Sequence, residues 1–270
     1  MSFDELKPVR VPDLKLMKKR GEKIAMLTAY DASMARLLDR AGVDVLLVGD
    51  SLGMVIMGCE NTLPVTLEAM LHHVRAVSRG ARRALVVADM PFMSYQVSVA
   101  EAVRNAGRLI QEGGAAAVKL EGGQPVLDVV RRLVEIGIPV MGHLGLVPQS
   151  VHQLGGFRRR ARGEQEAKQL IRDARELERA GAFAVVLESI PSELAREVTA
   201  EVGIPTIGIG AGPHCDGQVL VSYDVFGLYE GPVPSFVKQY ARLGEAMIEA
   251  AKAYVEDVRQ GRFPPPEPIQ

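Results

Sequence analysis

Short runs of β-branched and apolar residues alternate with longer amphipathic segments along almost the whole chain. Eight such runs occur in the sequence, at 24–29, 43–48, 84–89, 115–120, 138–143, 183–188, 205–209 and 218–222. Segments with helical periodicity lie between them, at 32–41, 66–79, 99–112, 124–136, 164–180 and 192–202. Strands that alternate with helices form parallel βα units rather than a sandwich. Eight of them fit a closed (β/α)8 TIM barrel, with a doubly wound open sheet as the alternative.

The predicted helices carry ordinary start and stop signals. Ser98 begins a capping-box pattern with Glu101, and Thr66 begins a weaker one. Glycines stand where a left-handed C-terminal residue is expected, namely Gly42, Gly80, Gly113, Gly137, Gly181 and Gly203. A short helix at 13–20 is expected to cover the bottom of the barrel and a closing helix to occupy 235–260. Prolines at 264–268 indicate an extended tail. No linker divides residues 1–270, so one domain is expected.

Composition excludes several classes of protein. Lys and Arg total 32 against 33 Asp and Glu, and the chain has no Trp, so a nucleic-acid binder is not expected. Two cysteines, Cys59 and Cys215, cannot form a disulfide framework or a four-ligand zinc site. The first residues are acidic where a signal peptide is positive, and the longest stretch without Asp, Glu, Lys or Arg, 136–157, contains Gly, Pro, Gln and His. We therefore expect a cytoplasmic protein that spans no membrane.

Acidic side chains follow the predicted strands at their downstream ends. Asp50, Asp89 and Glu121 come after three successive strands, and Glu188 ends the sixth. Catalytic residues of a barrel lie at this end, and hard carboxylate oxygens suit Mg²⁺. For a single acid, capping of the next helix or loop is the stronger interpretation; for three in succession, the sequence favours a site.

Two basic groups accompany these acids. Lys119 lies two residues before Glu121, so the strand period of two points both side chains to one side. Lys119 could neutralise a substrate carboxylate, form a Schiff base, or be a structural partner of Glu121. His143 ends the fifth strand and faces the mouth as a functional or a structural group.

Three other features are weaker. Adjacent helix positions point in different directions, so His72 and His73 are interpreted as structural. A glycine-rich loop at 208–212 follows the seventh strand, where barrels often bind phosphate, but Pro213 breaks the dinucleotide fingerprint and tight packing explains it equally well. The basic run Arg158, Arg159, Arg160 and Arg162 is most often a solvated surface, with a site for a polyanionic ligand tail as the alternative.

Several long motifs in order resemble ketopantoate hydroxymethyltransferases. They cover about residues 5–260 and lie at 49–55, 89–95, 119–123, 142–150, 186–188, 207–212 and 216–221. The resemblance implies a barrel of the phosphoenolpyruvate-pyruvate type, a Mg²⁺ ion and a homodecamer of two pentamers. The implied reaction moves a one-carbon unit from 5,10-methylenetetrahydrofolate to 3-methyl-2-oxobutanoate, giving 2-dehydropantoate on the pantothenate pathway.

The resemblance also implies roles for individual residues. Asp50 and Asp89 match the acids of the Mg²⁺ site, with Glu121 contributing directly or through water. Ser51 and Lys119 match contacts of the substrate carboxylate, His143 a nearby polar group, and Glu188 the proton acceptor. Three rivals remain: a metal-dependent lyase or aldolase of the same barrel class without folate, a Schiff-base aldolase that uses Lys119, and a catalytically silent scaffold. Acids converging at one mouth argue against the last, since unused acids would repel each other.

Overall fold

The structure is a computed structural model that describes residues 7–154, 160–161 and 163–265. Eight parallel strands pair in chain order, and β8 pairs with β1 to close a barrel. The strands are β1 (Ile24–Thr28), β2 (Val45–Val48), β3 (Leu85–Asp89), β4 (Ala117–Glu121), β5 (Val140–Gly145), β6 (Ala184–Glu188), β7 (Thr206–Ile209) and β8 (Gly217–Leu220). The predicted (β/α)8 barrel is confirmed, and the open-sheet alternative is wrong.

Helices connect the strands where the sequence predicts them. Those up to β8 are α1 (Val11–Arg20), α2 (Ala32–Arg40), α3 (Leu52–Val55), α4 (Leu67–Gly80), α5 (Val99–Gln111), α6 (Leu127–Glu135), α7 (Val151–Leu154), α8 (Glu164–Arg179) and α9 (Ser192–Glu201). The helix predicted at 124–136 begins as a 3₁₀ turn, Gln124–Val126, before α6. None of the described helices is long and apolar enough to cross a membrane.

The predicted helix signals act as expected at most positions. The Ser98 side chain accepts a hydrogen bond from the Glu101 backbone N–H, and Thr66 does the same for Ala69. Gly181 adopts a left-handed φ of 95° after α8. The left-handed stops predicted at Gly113 and Gly203 are wrong, because neither glycine has a positive φ. The one predicted at Gly80 is wrong too, because this glycine is the last residue of α4 and its φ is not positive. A Cβ there would lie 2.4 Å from the Ala32 carbonyl oxygen, so close packing of α4 on α2 requires this glycine.

The upstream half of the barrel lumen is filled with apolar side chains. Every strand contributes to one buried cluster with α1, formed by Leu14, Ile24, Met26, Val45, Leu47, Leu85, Val87, Ala117, Met141, Ala184, Val186, Ile207 and Val219. Leu14 is fully buried in this cluster. The helix predicted at 13–20 thus begins at Val11 and closes the opening at which the strands begin.

A lysine fixes α1 to that end of the barrel. Lys18 Nζ donates to the carbonyl oxygens of Thr199 and Ile204, both at 3.0 Å, and to Asp216 Oδ2 at 2.9 Å. Asp216 Oδ2 also accepts from the Thr206 backbone N–H at 2.9 Å. Lys18 therefore links α1 to the starts of β7 and β8.

The contacts divide the chain into two compact units, Met1–Leu220 with the barrel and Val221–Gln270. The second contains α10 (Ser222–Val225) and α11 (Leu243–Arg259). The helix predicted at 235–260 is wrong at its start, since the Tyr240 backbone N–H donates instead to the Val225 carbonyl oxygen. No residue of α11 is buried. One domain across 1–270 stays a prediction, and the tail beyond 265 lies outside the described residues.

Candidate active site

The downstream half of the lumen carries ionisable side chains on the strand faces that are apolar further up. With the same period of two, the strands continue from the apolar cluster to Asp89, Lys119, Glu121, His143 and Glu188. Asp50 follows β2 by two residues. Asp50, Asp89, Lys119, Glu121 and His143 are each no more than 6% exposed. The structure thus brings together at one mouth the residues that the sequence placed at successive strand ends.

Asp50, Asp89 and Lys119 form one side of the mouth. Lys119 Nζ lies 2.9 Å from Asp89 Oδ1, and the Asp50 backbone N–H donates to Asp89 Oδ2 at 3.0 Å. Since Asp89 and Lys119 are directly paired in the register of β3 and β4, their contact is fixed by the sheet itself. Both aspartates and the lysine can therefore contact one small ligand.

Burial and mutual repulsion make the two aspartates costly to ionise. Burial raises the pKa of Asp50 to about 8, and the carboxylates of Asp89 and Glu121 add to the shift. Burial also raises the pKa of Asp89, although the Lys119 ammonium opposes it. Burial alone would lower the pKa of Lys119, but Asp89, Glu121 and Asp50 together hold it above its ordinary value. The mouth combines a charged ammonium with carboxylates that a cation would stabilise.

Glu121, His143 and Glu188 form the other side. His143 Nε2 lies 3.2 Å from Glu188 Oε2, and Nδ1 lies 3.5 Å from Glu121 Oε1 and 3.2 Å from Lys119 Nζ. The Nε2 contact is poorly aligned for a hydrogen bond, as is common before a substrate binds. Burial and Lys119 lower the pKa of His143, while the neighbouring carboxylates of Glu121 and Glu188 outweigh them and raise it to about 9. His143 therefore presents an N–H group to Glu188.

Ser51 lies at the edge of this cluster. Its Oγ is 2.8 Å from the hydroxyl of buried Tyr30, whose carbonyl oxygen is 2.6 Å from His73 Nδ1. This bond agrees with the structural role predicted for His73. Because Ser51 follows Asp50 directly and is only partly buried, its hydroxyl is available at the mouth.

Two residues of the site are missed by the sequence reasoning about strand ends. Gln149, in the 3₁₀ turn Pro148–Ser150 after β5, donates from Nε2 to Asp50 Oδ2 at 2.9 Å and from its backbone N–H to Glu121 Oε2 at 3.0 Å. The Tyr95 hydroxyl donates to Gln149 Oε1 at 2.7 Å. Both stand in the motifs 142–150 and 89–95, which are the one signal in the sequence that points to them.

The residues at the mouth fit a Mg²⁺ ion that is bound partly by substrate and water. Within 7–154, 160–161 and 163–265, no group of three or more His, Cys, Asp or Glu side chains forms a complete metal site. Asp89 Oδ1 is buried without a hydrogen-bond partner in these ranges, with Lys119 as its ionic contact. Mg²⁺ is usually held by one or two carboxylates, and water and substrate complete its coordination. Asp50 and Asp89 meet this requirement, whereas the oxygens of Glu121 face Gln149 and His143.

The weaker sequence features that lie in the described residues do not join this site. At Gly212, φ is 79° and a Cβ would lie 2.2 Å from Ser192 Oγ, so tight packing accounts for this part of the glycine-rich loop. Arg158, Arg159 and Arg162 lie outside the described residues. Arg160 is described, and its guanidinium pairs with Glu166 at 3.1 Å.

Solved structures with similar folds support the barrel type. A 2,3-dimethylmalate lyase, described as a PEP mutase/isocitrate lyase superfamily member, matches with a TM-score of 0.60 and 19% identity, covering 95% of this chain and 90% of that one. A phosphonopyruvate hydrolase, solved as a complex with oxalate and Mg²⁺, matches with a TM-score of 0.61 and 11% identity, covering 96% and 91%. At these identities the likeness shows the fold alone, a closed (β/α)8 barrel.

Sequence comparison extends to much nearer relatives. A 3-methyl-2-oxobutanoate hydroxymethyltransferase of Syntrophus aciditrophicus (strain SB) is 61% identical over 248 residues, covering 92% of this chain and 91% of that protein. One of Moorella thermoacetica (strain ATCC 39073 / JCM 9320) is 59% identical over 259 residues, covering 96% of each. The family model described as ketopantoate hydroxymethyltransferase matches residues 8–266. This chain therefore belongs to the ketopantoate hydroxymethyltransferase family.

Proposed function

We propose that the protein transfers a hydroxymethyl group from 5,10-methylenetetrahydrofolate to 3-methyl-2-oxobutanoate, giving 2-dehydropantoate for pantothenate and coenzyme A synthesis. The observation that carries the proposal is the buried cluster at the barrel mouth, where Lys119 pairs with Asp89 and Glu188 lies against His143. The cluster supplies a cationic group for a carboxylate, two acids for a metal ion and a base. Relatives more than half identical across the chain are named for this reaction.

Lys119 is the group that binds the carboxylate of the 2-oxo acid. Its ammonium is buried in the lumen and held charged by the surrounding acids, so it offers a fixed positive charge to an incoming anion. The Ser51 hydroxyl offers a second donor at the edge of the mouth. Together they orient the substrate with its keto group toward Asp50 and Asp89.

Asp50 and Asp89 would hold Mg²⁺, with Glu121 acting through a water molecule because its oxygens already face Gln149 and His143. When bound, Mg²⁺ would supply positive charge that polarises the 2-oxo acid, which would make its C3 proton more acidic. Lys119 opposes the rise in the pKa of Asp89 and orients its carboxylate for this role.

Glu188 accepts the C3 proton. It ends β6, across the barrel from β2 and β3, and its Oε2 lies 3.2 Å from His143 Nε2. The N–H group of His143 orients the Glu188 carboxylate and stabilises its charge until the proton arrives. A positioned general base of this kind contributes about 10²–10⁴ to a rate.

The remaining steps join C3 to the one-carbon unit. The electron pair left at C3 attacks the methylene carbon of the folate co-substrate and forms the new C–C bond. Both C–N bonds that hold the methylene carbon on the folate break, and water supplies the hydroxyl group. The two folate nitrogens take up two protons, one equivalent to the C3 proton accepted by Glu188 and one from the water, and tetrahydrofolate leaves. No redox change occurs, in agreement with a transferase.

The structure disfavours an imine between Lys119 and the keto group. An imine needs a neutral amine, and Lys119 is buried against Asp89 with its pKa raised. The lyase alternative differs in needing no folate, so the folate dependence of product formation separates it from the transferase.

Assembly and location complete the proposal. We infer a homodecamer of two pentamers in the cytoplasm. The support on this chain is that none of the residues of α11 is buried, although apolar Leu243, Met247, Ile248 and Val255 are among them. Light scattering on the purified protein should give a mass near ten chains; a stable monomer at micromolar concentration contradicts the decamer.

The experiment that tests the function separates its two halves. Purified protein with Mg²⁺ and 3-methyl-2-oxobutanoate in deuterated water should exchange the C3 proton without folate. Addition of 5,10-methylenetetrahydrofolate should then give 2-dehydropantoate. Exchange that persists undiminished in excess chelator contradicts the metal role, and product formation without folate contradicts the transferase.

A further inference from the structure

We infer that Gln149 is a positioning residue for the proposed metal site, because it orients Asp50 and Glu121 at the same time. The inference rests on the proposed function, since it concerns the acids that would bind Mg²⁺. Gln149 is 6% exposed and lies in the turn that follows β5, outside the regular strand pattern.

The carboxamide of Gln149 uses all of its hydrogen-bonding capacity. Nε2 donates to Asp50 Oδ2 at 2.9 Å and to the Met90 carbonyl oxygen at 3.0 Å. Oε1 accepts from the Tyr95 hydroxyl at 2.7 Å and from Gln96 Nε2 at 3.2 Å. The opposite amide orientation would place Oε1 against two acceptors, so these partners fix which end faces Asp50.

The backbone of the same residue holds the second acid. The Gln149 N–H donates to Glu121 Oε2 at 3.0 Å. The Tyr95 hydroxyl, which bonds the Gln149 side chain, also accepts from the Glu121 backbone N–H at 3.1 Å. Gln149 and Tyr95 therefore set the separation of Asp50 from Glu121 across the mouth.

The choice of an amide at this position has an electrostatic consequence. An ammonium, such as Lys119 beside Asp89, offsets the charge of its acid, whereas an amide orients an acid without neutralising it. Asp50 Oδ2 is engaged by Gln149, so the carboxamide fixes the orientation of this side chain without adding a positive charge that would compete with a bound cation. Polar groups that orient metal ligands in this way typically change metal affinity 10–100-fold when they are replaced.

The test compares Mn²⁺ affinity in two variants of the full chain without substrate. Gln149→Met removes the carboxamide at similar length, and Gln149→Asn shortens its reach, while the backbone N–H to Glu121 remains in both. Electron paramagnetic resonance measures the free Mn²⁺ in a titration and so gives the Kd of each protein. The Mn²⁺ Kd should be about 10–100-fold higher in Gln149→Met than in the parent, and the increase should be smaller in Gln149→Asn. In the C3-proton exchange assay, half-saturating Mg²⁺ should rise in parallel, with much of the rate recovered at saturating Mg²⁺.

A matched control separates positioning from a general loss of structure. Gln96→Ala removes an exposed partner of Gln149 Oε1 and leaves the Nε2 contact to Asp50, so its Mn²⁺ Kd should stay within about twofold. If Gln149→Met does not fold, Gln149→Asn carries the test. If Gln149→Met folds and its Mn²⁺ Kd is unchanged, the positioning role of Gln149 is wrong while the proposed function stands. An unchanged Mn²⁺ Kd in Gln149→Asn has the same meaning when Gln149→Met does not fold. A parent protein that binds no Mn²⁺ overturns the proposed metal site together with it.

Discussion

The two halves of the barrel lumen are built on the same strands yet have opposite chemistry. In β3, β4 and β6 the inward positions begin with apolar residues, such as Val87, Ala117 and Val186, and two positions later become Asp89, Lys119 and Glu188. The upstream half is a closely packed apolar cluster closed by Leu14. The downstream half is a buried set of ionisable groups, where burial and the neighbouring carboxylates raise the pKa of Asp50.

This difference teaches where stability and function lie in the molecule. Apolar packing stabilises the fold by removing surface from water, whereas burying several acids together costs free energy that Lys119 offsets in part and a bound cation would offset further. Substitutions in the upstream half should therefore change stability and leave catalysis alone, and conservative substitutions at the mouth should do the reverse.

The largest expected effect is at the mouth. Glu188→Gln keeps the side-chain shape and its contact with His143 but removes the base, so exchange of the substrate C3 proton into deuterated water should fall by about 10²–10⁴. The unfolding midpoint and Mg²⁺ binding should stay close to those of the parent.

The exchange assay also identifies the alternative base. If Glu188→Gln exchanges the proton at the parent rate and fails only in transfer to folate, Glu188 is not the proton acceptor. His143 then becomes the candidate, and the same assay on His143→Gln tests it.

The opposite result is expected for the upstream half. Leu14→Ala leaves a cavity in the fully buried cluster and should lower the free energy of unfolding by about 2–5 kcal/mol. Denaturant unfolding measures this loss, and the exchange rate at a temperature where the variant is folded should match the parent. A large loss of exchange activity in folded Leu14→Ala would show that the two halves are coupled.

A substitution of Lys119 tests the part of the mouth that is expected to bind the substrate carboxylate. Lys119→Met removes the group that is expected to bind the substrate carboxylate, a charged hydrogen bond of about 1.5–3 kcal/mol, so the Kd for 3-methyl-2-oxobutanoate should rise about 10–100-fold. Lys18→Met, at the other end of the barrel, is the matched control and should leave this Kd unchanged. A borohydride-stable adduct of substrate mass on Lys119 in the parent would contradict a purely electrostatic role.

Strand periodicity accounts for what the sequence predicts well. Because inward positions recur every second residue, the strand pattern alone assigns Lys119 and Glu121 to one face, and the helices between the strands follow from their own period and caps. The four acids at strand ends are predicted to meet at one mouth because parallel strands in a barrel all end on the same side.

The features that the sequence does not predict depend on contacts between loops and between segments distant in the chain. Gln149 and Tyr95 stand in connections without periodicity, and their roles depend on a turn that places one amide between Asp50 and Met90. The predicted start of α11 is misplaced because residues before Leu243 are apolar enough to resemble a helix. The backbone N–H groups of residues 240, 243 and 244 donate instead to the carbonyl oxygens of 225–227, and a window of sequence around 235–242 does not contain these partners.

The smallest expected effect is a gain in stability from removing one charge at the mouth. The pKa of Asp50 is raised from 3.8 to about 8 by burial and neighbouring carboxylates, so the folded metal-free protein binds a proton there that the unfolded chain releases. Stability of the parent should therefore fall as pH rises from about 4 to about 8. Asp50→Asn keeps an oxygen that can accept from Gln149 Nε2 but does not ionise. The stability of this variant should therefore not show the decrease between about pH 4 and about pH 8 that Asp50 causes in the parent.

The comparison is made in chelator, with thermal unfolding of parent and Asp50→Asn at pH 5 and pH 8. The variant should gain on the parent by at least a few degrees at pH 8 relative to pH 5, since about 1 kcal/mol corresponds to 2–4 °C in a domain of this size. Mg²⁺ should narrow the gap by stabilising the parent alone, because ligand binding favours the folded state. Equal midpoints at both pH values, with and without Mg²⁺, would show that Asp50 is not strained by its neighbours. The stabilising upstream half would then not differ, at Asp50, from a mouth whose buried charges lower the stability of the metal-free protein.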